Sequence, residues 1–155
     1  MISEQGYNGG NMLYEDKKID SIPVGPLGLI PLRGMEEFTK KVNDYLVEWR
    51  RERENEHKDT LLFSEYEKDD YIVKANISRF GSGEAKGTIE ESVRGDDLYL
   101  LVDVCNYSMT YSLSGKINHM SPDDHFQDLK RIIAAIAGKA RRINVIMPFL
   151  YESRQ

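Results

Sequence analysis

Residues 79–95 read RFGSGEAKGTIEESVRG, setting Gly81, Gly83 and Gly87 around the Glu84 carboxylate and the Lys86 amine. Such a composition suggests a phosphate cradle, but neither phosphate signature is met. The glycines are one residue too widely spaced for the dinucleotide fingerprint, and lysine precedes glycine where a phosphate loop needs Gly-Lys-Ser/Thr leading into a helix. The residues that follow alternate like a strand, so no helix N-terminus offers free N–H groups to a phosphate. A hairpin tip is the simpler reading, with Gly81 and Gly83 admitting positive φ. Phe80 stands out in it. If the alternation of Tyr71 to Ile77 continues, Ser78 and Phe80 fall on the polar face, and an exposed ring beside Glu84 can stack on a base while the carboxylate accepts from an exocyclic amine.

Other reactive side chains offer less. His57 lies in a charged run, His119 in a long link, and His125 near a helix start beside Asp123 and Asp124. Residues at i and i+2 on a helix do not face one another, so Asp123 and His125 make a poor metal pair and a solvated role is expected. Cys105 ends an apolar run and reads as a small apolar filler. With one cysteine there is no internal disulfide and no multi-cysteine zinc site, and a reducing, cytoplasmic setting is expected. The last residues, FLYESRQ, follow a strand pattern ending near Pro148, where ligands sit in open α/β sheets. There Arg154 can stack or pair with phosphate, and Gln155 can read an amide-like base edge.

The elements that must position these groups are legible. Residues 22–34 are too rich in Pro and Gly for a helix, and Leu29 to Leu32 reads as a short edge strand. Met35, Phe38, Val42, Leu46 and Trp49 recur at helical spacing, with acids early and arginines late, which predicts an amphipathic helix. Residues 51–59 read as a charged exit, 60–66 as a short strand, and EKDD as a turn. Tyr71 to Ser78 and Ala85 to Ile89 form the two arms of the hairpin, and LYLLVDV (98–104) is a central strand covered on both faces. Ser121 caps a helix opened by Pro122, with Phe126, Leu129, Ile132, Ile133 and Ile136 as its buried stripe and Gly138 as its stop. RINVIMP (142–148) is a second buried strand, parallel to the first through a crossover. The link from Cys105 to Met120 is about three times the usual loop length, as suits a lid, an interface or a poorly ordered segment.

Bulk numbers bound the partners. A chain of 155 residues suits one domain. Its net charge of −5 argues against a nucleic-acid surface, since the candidate basic clusters, Arg50, Arg51 and Arg53 and then Arg141 and Arg142, read as helix ends or solvated faces. No apolar run approaches a membrane span. Residues 1–21 are read as a polar leader and 22–155 as the folded domain.

Three blocks together resemble the N-terminal half of the ribose-phosphate pyrophosphokinase (phosphoribosyl pyrophosphate synthetase) family: RFGSGE (79–84), similar to its Arg-Phe-Ser-Asp-Gly-Glu; IEESVRGDDLYLL (89–101), similar to its Glu-x-Val-Arg-Gly block and strand; and ARRINVIMPFLYESRQ (140–155), similar to a stretch ending Pro-Tyr-Phe-Gly-Tyr-Ala-Arg-Gln. The resemblance implies an α/β, type I phosphoribosyltransferase-like domain, a mostly parallel sheet flanked by helices with a β-hairpin extension. It implies transfer of a diphosphoryl group from Mg2+-bound ATP to ribose 5-phosphate in a homo-oligomer. It assigns adenine contacts to Phe80, Ser82, Glu84, Arg154 and Gln155, with the hairpin supplied by a neighbouring subunit. Ser82 stands where the family has Asp, and Tyr151 and Glu152 where it has Gly and Tyr. The family's metal-binding histidine, catalytic loop and ribose-phosphate loop would follow residue 155, so this stretch is expected to be inactive alone. The alternative is a non-catalytic homologue that regulates or binds a true synthetase.

Overall fold

A computed structural model describes residues 23–52 and 65–154. The expected leader, His57, Arg53, the strand expected from residue 60 and Gln155 lie outside these residues, apart from Glu65 and Tyr66, which sit in a turn.

Three parallel strands form the central sheet in the order β1 (Leu27–Pro31), β4 (Asp97–Leu101), β7 (Arg142–Ile146). Leu27 pairs with Asp97, and Asp97 with Arg142. Alternation along β4 divides the core: Leu98, Leu100 and Val102 pack with Ile30, Leu129, Ile132 and Ile136, whereas Leu101 packs with Leu29, Met35, Val47 and Tyr71. Helix α1 (Glu36–Glu52) and helix α2 (Pro122–Ile136) thus supply separate apolar clusters to the sheet. The N-terminal edges of β4 and β7 are stapled where Arg142 Nε donates to Asp97 Oδ1 at 2.7 Å and Asn144 Nδ2 donates to the same oxygen at 2.9 Å. That ion pair raises the Arg142 pKa, first through the hydrogen bond the guanidinium donates to Asp97. The α/β class and parallel sheet expected from the sequence are what the chain adopts.

Helix α2 begins as its sequence dictates. Ser121 Oγ accepts from Asp124 N at 3.1 Å, the Asp124 carboxylate accepts from Ser121 N at 2.9 Å, and Pro122 follows the cap without wasting an N–H. Its end comes one residue before the expected glycine, with Ala137 itself at φ 53°.

Several expectations are corrected. Of the expected stripe, Met35 just before α1 is buried and Val42 and Leu46 pack partly buried against the core, but the fully buried positions of the helix are Thr39, Asn43 and Val47, and Phe38 and Trp49 are exposed. The phase is set by Asn43, whose Oδ1 accepts from Tyr71 N at 2.8 Å, a bond no apolar residue could make. The alternating run from Tyr71 serves two partners rather than one. Leu29 N donates to Tyr71 O at 2.7 Å and Val73 N to Leu29 O at 2.8 Å, so these residues line the outer side of β1 before the hairpin begins at Ala75. Strand β7 is not buried: among the described residues nothing pairs with its far side, and Val145 and Ile146 are exposed. The long link folds into a second antiparallel hairpin, β5 (Thr110–Leu113) and β6 (Lys116–His119). Cys105 is exposed rather than filling the core, because the strand has already ended and its N–H bonds the Asp103 side chain.

Candidate functional site

The first hairpin pairs β2 (Ala75–Arg79) with β3 (Ala85–Ile89), closing at Arg79 opposite Ala85. Across the tip Phe80 N donates to Glu84 O at 2.8 Å and Gly83 N to Phe80 O at 3.0 Å. Gly83 takes φ +91°, the left-handed conformation that favours glycine, whereas Gly81 is not in that region. The phosphate-cradle geometry is absent, since a strand and not a helix follows. Phe80 is 52% exposed. Beside it Ser82 Oγ donates to Glu84 Oε2 at 3.0 Å, which aims the carboxylate and leaves Oε1 open. Phe80, Ser82 and Glu84 are therefore brought together, all exposed.

What holds the tip was invisible to the sequence. Arg79 Nη2 reaches Asp128 Oδ2 at 2.9 Å, and Arg131 Nη1 reaches Asp128 Oδ1 at 2.6 Å, so one carboxylate on α2 binds two guanidiniums. The Arg79 guanidinium lies 4.4 Å from the centre of the Tyr111 ring on β5. Gly87 lets β3 meet the helix directly: a Cβ there would stand 2.8 Å from Arg131 O. No spacing rule links these residues. The one local hint was the alternation, which sends Arg79 inward as it sends Phe80 outward.

The other expected contacts lie past β7. Tyr151 N donates to Met147 Sδ at 3.3 Å, and its hydroxyl donates to Asp123 Oδ1 at 2.7 Å. The ring meets Phe126 edge-on at 5.5 Å. The hydrogen bond to Asp123 is the main cause of a Tyr151 pKa pushed up to about 12. This latch lays the chain over the first turns of α2. Glu152 then takes φ 62° and Arg154 is exposed. No hydrogen bond or ion pair among the described residues joins Arg154 to the hairpin tip.

A cleft of about 290 Å³ near the end of β1 is lined by Pro31, Arg33, Glu36, Asn76, Ile77 and Ile132. None of Phe80, Ser82, Glu84 and Arg154 lines it. Of the histidines, His119 is exposed with Nδ1 at 2.8 Å from Tyr107 O. His125 corrects the solvated expectation: it is 1% exposed, facing the core, with Nε2 donating to Asn106 O at 3.0 Å. Arg50 packs over the Tyr66 and Tyr71 rings, and Arg51 pairs with Asp69. These arginines are structural. Among the described residues no group of three or more His, Cys, Asp and Glu could hold a metal ion, and no helix is long and apolar enough to cross a membrane.

A parallel α/β sheet flanked by two helices and carrying antiparallel hairpins is the architecture expected of a phosphoribosyltransferase-like N-terminal domain. The family profile described as the N-terminal domain of ribose phosphate pyrophosphokinase matches residues 27–155, and the chain belongs to that family. Over 85 residues it is 35% identical to a ribose-phosphate pyrophosphokinase of Bacillus caldolyticus and 31% identical to one of Oceanobacillus iheyensis. Each match covers 54% of this chain and 22% of the relative. The enzyme of that name in Bacillus subtilis is 29% identical over the same length.

Proposed function

We propose that this chain is the ATP-side and oligomerisation domain of a ribose-phosphate pyrophosphokinase, converting ATP and ribose 5-phosphate to phosphoribosyl pyrophosphate and AMP when joined to the family's catalytic half. The observation that carries the reading is the hairpin tip, where an exposed Phe80 stands beside a carboxylate aimed by Ser82. Phe80 stacks on adenine, Glu84 accepts from its exocyclic amine, and Arg154 with Gln155 closes the other side from a neighbouring copy. Two copies are needed because one tip covers one face of a base. The protein is cytoplasmic in this reading.

Magnesium supplies charge neutralisation on the ATP phosphates in this chemistry. The described residues hold no ligand set for it, so we assign none of them to the metal. The chain's own contribution is to bind and orient the base.

The test is to assay the full-length protein for phosphoribosyl pyrophosphate formation with Mg2+, ATP and ribose 5-phosphate. Turnover supports the reading, and a folded full-length protein with none rejects it. A second reading, a non-catalytic homologue that binds a true synthetase, is favoured by Ser82 and by the Tyr151 latch, both departures from the family pattern. It requires that the protein be silent alone and alter a synthetase on mixing.

A further inference from the structure

We propose that the β5–β6 hairpin is a buttress for the Phe80–Glu84 tip, and that Tyr111 is a positioning residue for nucleotide binding acting through Arg79. Helix α2 supports the tip along two routes. The direct one is the Asp128 carboxylate on Arg79, whose side chain is only 10% exposed. The second passes through the link. Buried His125 donates to Asn106 O at 3.0 Å, fixing the start of the 105–120 segment, and Met120 N donates to Met109 O at 2.8 Å, closing its base. The hairpin between these points returns to the tip from the other side. Tyr111 covers the Arg79 guanidinium at 4.4 Å, and Leu113 Cδ2 lies 3.8 Å from where a Cβ on Gly83 would be.

Arg79 is thus held by charge on Asp128 and by a ring on Tyr111, one residue before Phe80. Because side chains alternate along a strand, fixing Arg79 inward fixes the direction in which Phe80 leaves it. Leu113 supports the one tip residue in the left-handed conformation. A two-stranded hairpin is marginal by itself in water, so its tip needs such backing to keep an aromatic ring in one place. The long link is therefore used to stiffen a neighbour, which differs from a lid that opens and closes.

The claim that the tip binds nucleotide rests on the function proposed above; the buttress itself does not, and the experiment separates them. Hydrogen exchange is read at the Phe80 and Gly83 amides in Tyr111→Ala, Tyr111→Phe and the parent chain. Half-saturation by ATP and by ribose 5-phosphate is then read in the full-length protein. Loss of the ring face in Tyr111→Ala should speed exchange at both amides about two- to fivefold and raise ATP half-saturation by a similar factor. Maximal rate and ribose 5-phosphate half-saturation should stay unchanged, and Tyr111→Phe should restore parent behaviour. Unchanged exchange in Tyr111→Ala overturns the buttress. Faster exchange with unchanged ATP dependence, where Phe80→Ala does alter it, overturns the positioning role. If Phe80→Ala also leaves ATP dependence unchanged, the nucleotide reading fails and the buttress stands on exchange alone. Should Tyr111→Ala not fold, Tyr111→Leu removes the ring face while keeping its bulk, and the same readouts decide.

Discussion

The Ser82 hydroxyl lies 3.0 Å from Glu84 Oε2 and donates to it, inside a turn whose backbone already closes from Phe80 to Glu84. The position at which the resembling family carries an aspartate thus holds a donor, so the tip bears one carboxylate with one oxygen committed. A second acid here would repel the first across two residues. In the proposed function, that single oriented acceptor would suit an amine donor such as that of adenine.

Phe80→Ala in the full-length protein is expected to weaken ATP binding by about 1 to 3 kcal/mol through lost stacking. Ribose 5-phosphate dependence should be unchanged. Because the ring is exposed, the urea midpoint of the domain should barely move. Steady-state kinetics with each substrate varied in turn checks the split, and equal damage to both would make the ring merely structural.

Asp128→Ala leaves Arg79 and Arg131 without their shared partner in a nearly closed site. Breaking one side of a buried pair costs about 3 to 5 kcal/mol, so the urea midpoint should fall sharply. Arg131→Ala should cost less, since its side chain is 20% exposed against 5% for Asp128, and Asp128 keeps Arg79 as a partner. Equilibrium unfolding of the two variants side by side gives the ranking.

Gly87→Ala puts a Cβ 2.8 Å from Arg131 O and 2.9 Å from its carbonyl carbon, both backbone atoms that cannot step aside. Overpacking of this kind costs about 1 to 3 kcal/mol. The same change at Gly81, which meets nothing within 4 Å and needs no positive φ, should be nearly silent. Thermal melts of the two single variants test the contrast.

Tyr151 is expected to make stability depend on pH at the alkaline end. Its folded-state pKa of about 12 exceeds the ordinary value near 10, so the folded chain holds the proton more tightly than the unfolded one. The stabilisation is complete below pH 10 and is lost as pH rises from there through 12. The stability gap between the parent and Tyr151→Phe should close across that window, as melting from pH 9 upward would reveal.

Much of this was readable from residues alone. The Ser121 and Pro122 start, the β4 run and the glycine tip each depend on local chemistry and each appeared, although β4 spans Asp97–Leu101 and stops short of the expected residue 104. Phase and partnership were harder. Helix α1 has enough apolar residues to offer more than one face, and the choice fell to Asn43 because a backbone N–H from Tyr71 needed an acceptor. The same holds for α2, where His125 and Asp128 join Leu129 and Ile132 inside because each has a fixed partner there. The link from Cys105 onward carried no strong pattern, as its hairpin is short and leans on Arg79 from outside its own sequence. At the candidate site, the tip residues were legible and their supports were not.

The pairing of Asp97 with Arg142 joins positions 45 residues apart, and Leu27 must find Asp97 across a still longer stretch. Such non-local parallel contacts form slowly, because the chain between them must be closed before any of them is rewarded. The two hairpins and the capped α2 are local and can appear early. Because a two-stranded hairpin is marginal alone, the Phe80 tip is expected to settle only once α2 and the second hairpin pack against it, and the interval until β7 docks is the period in which an unpaired apolar sheet edge is most open to aggregation.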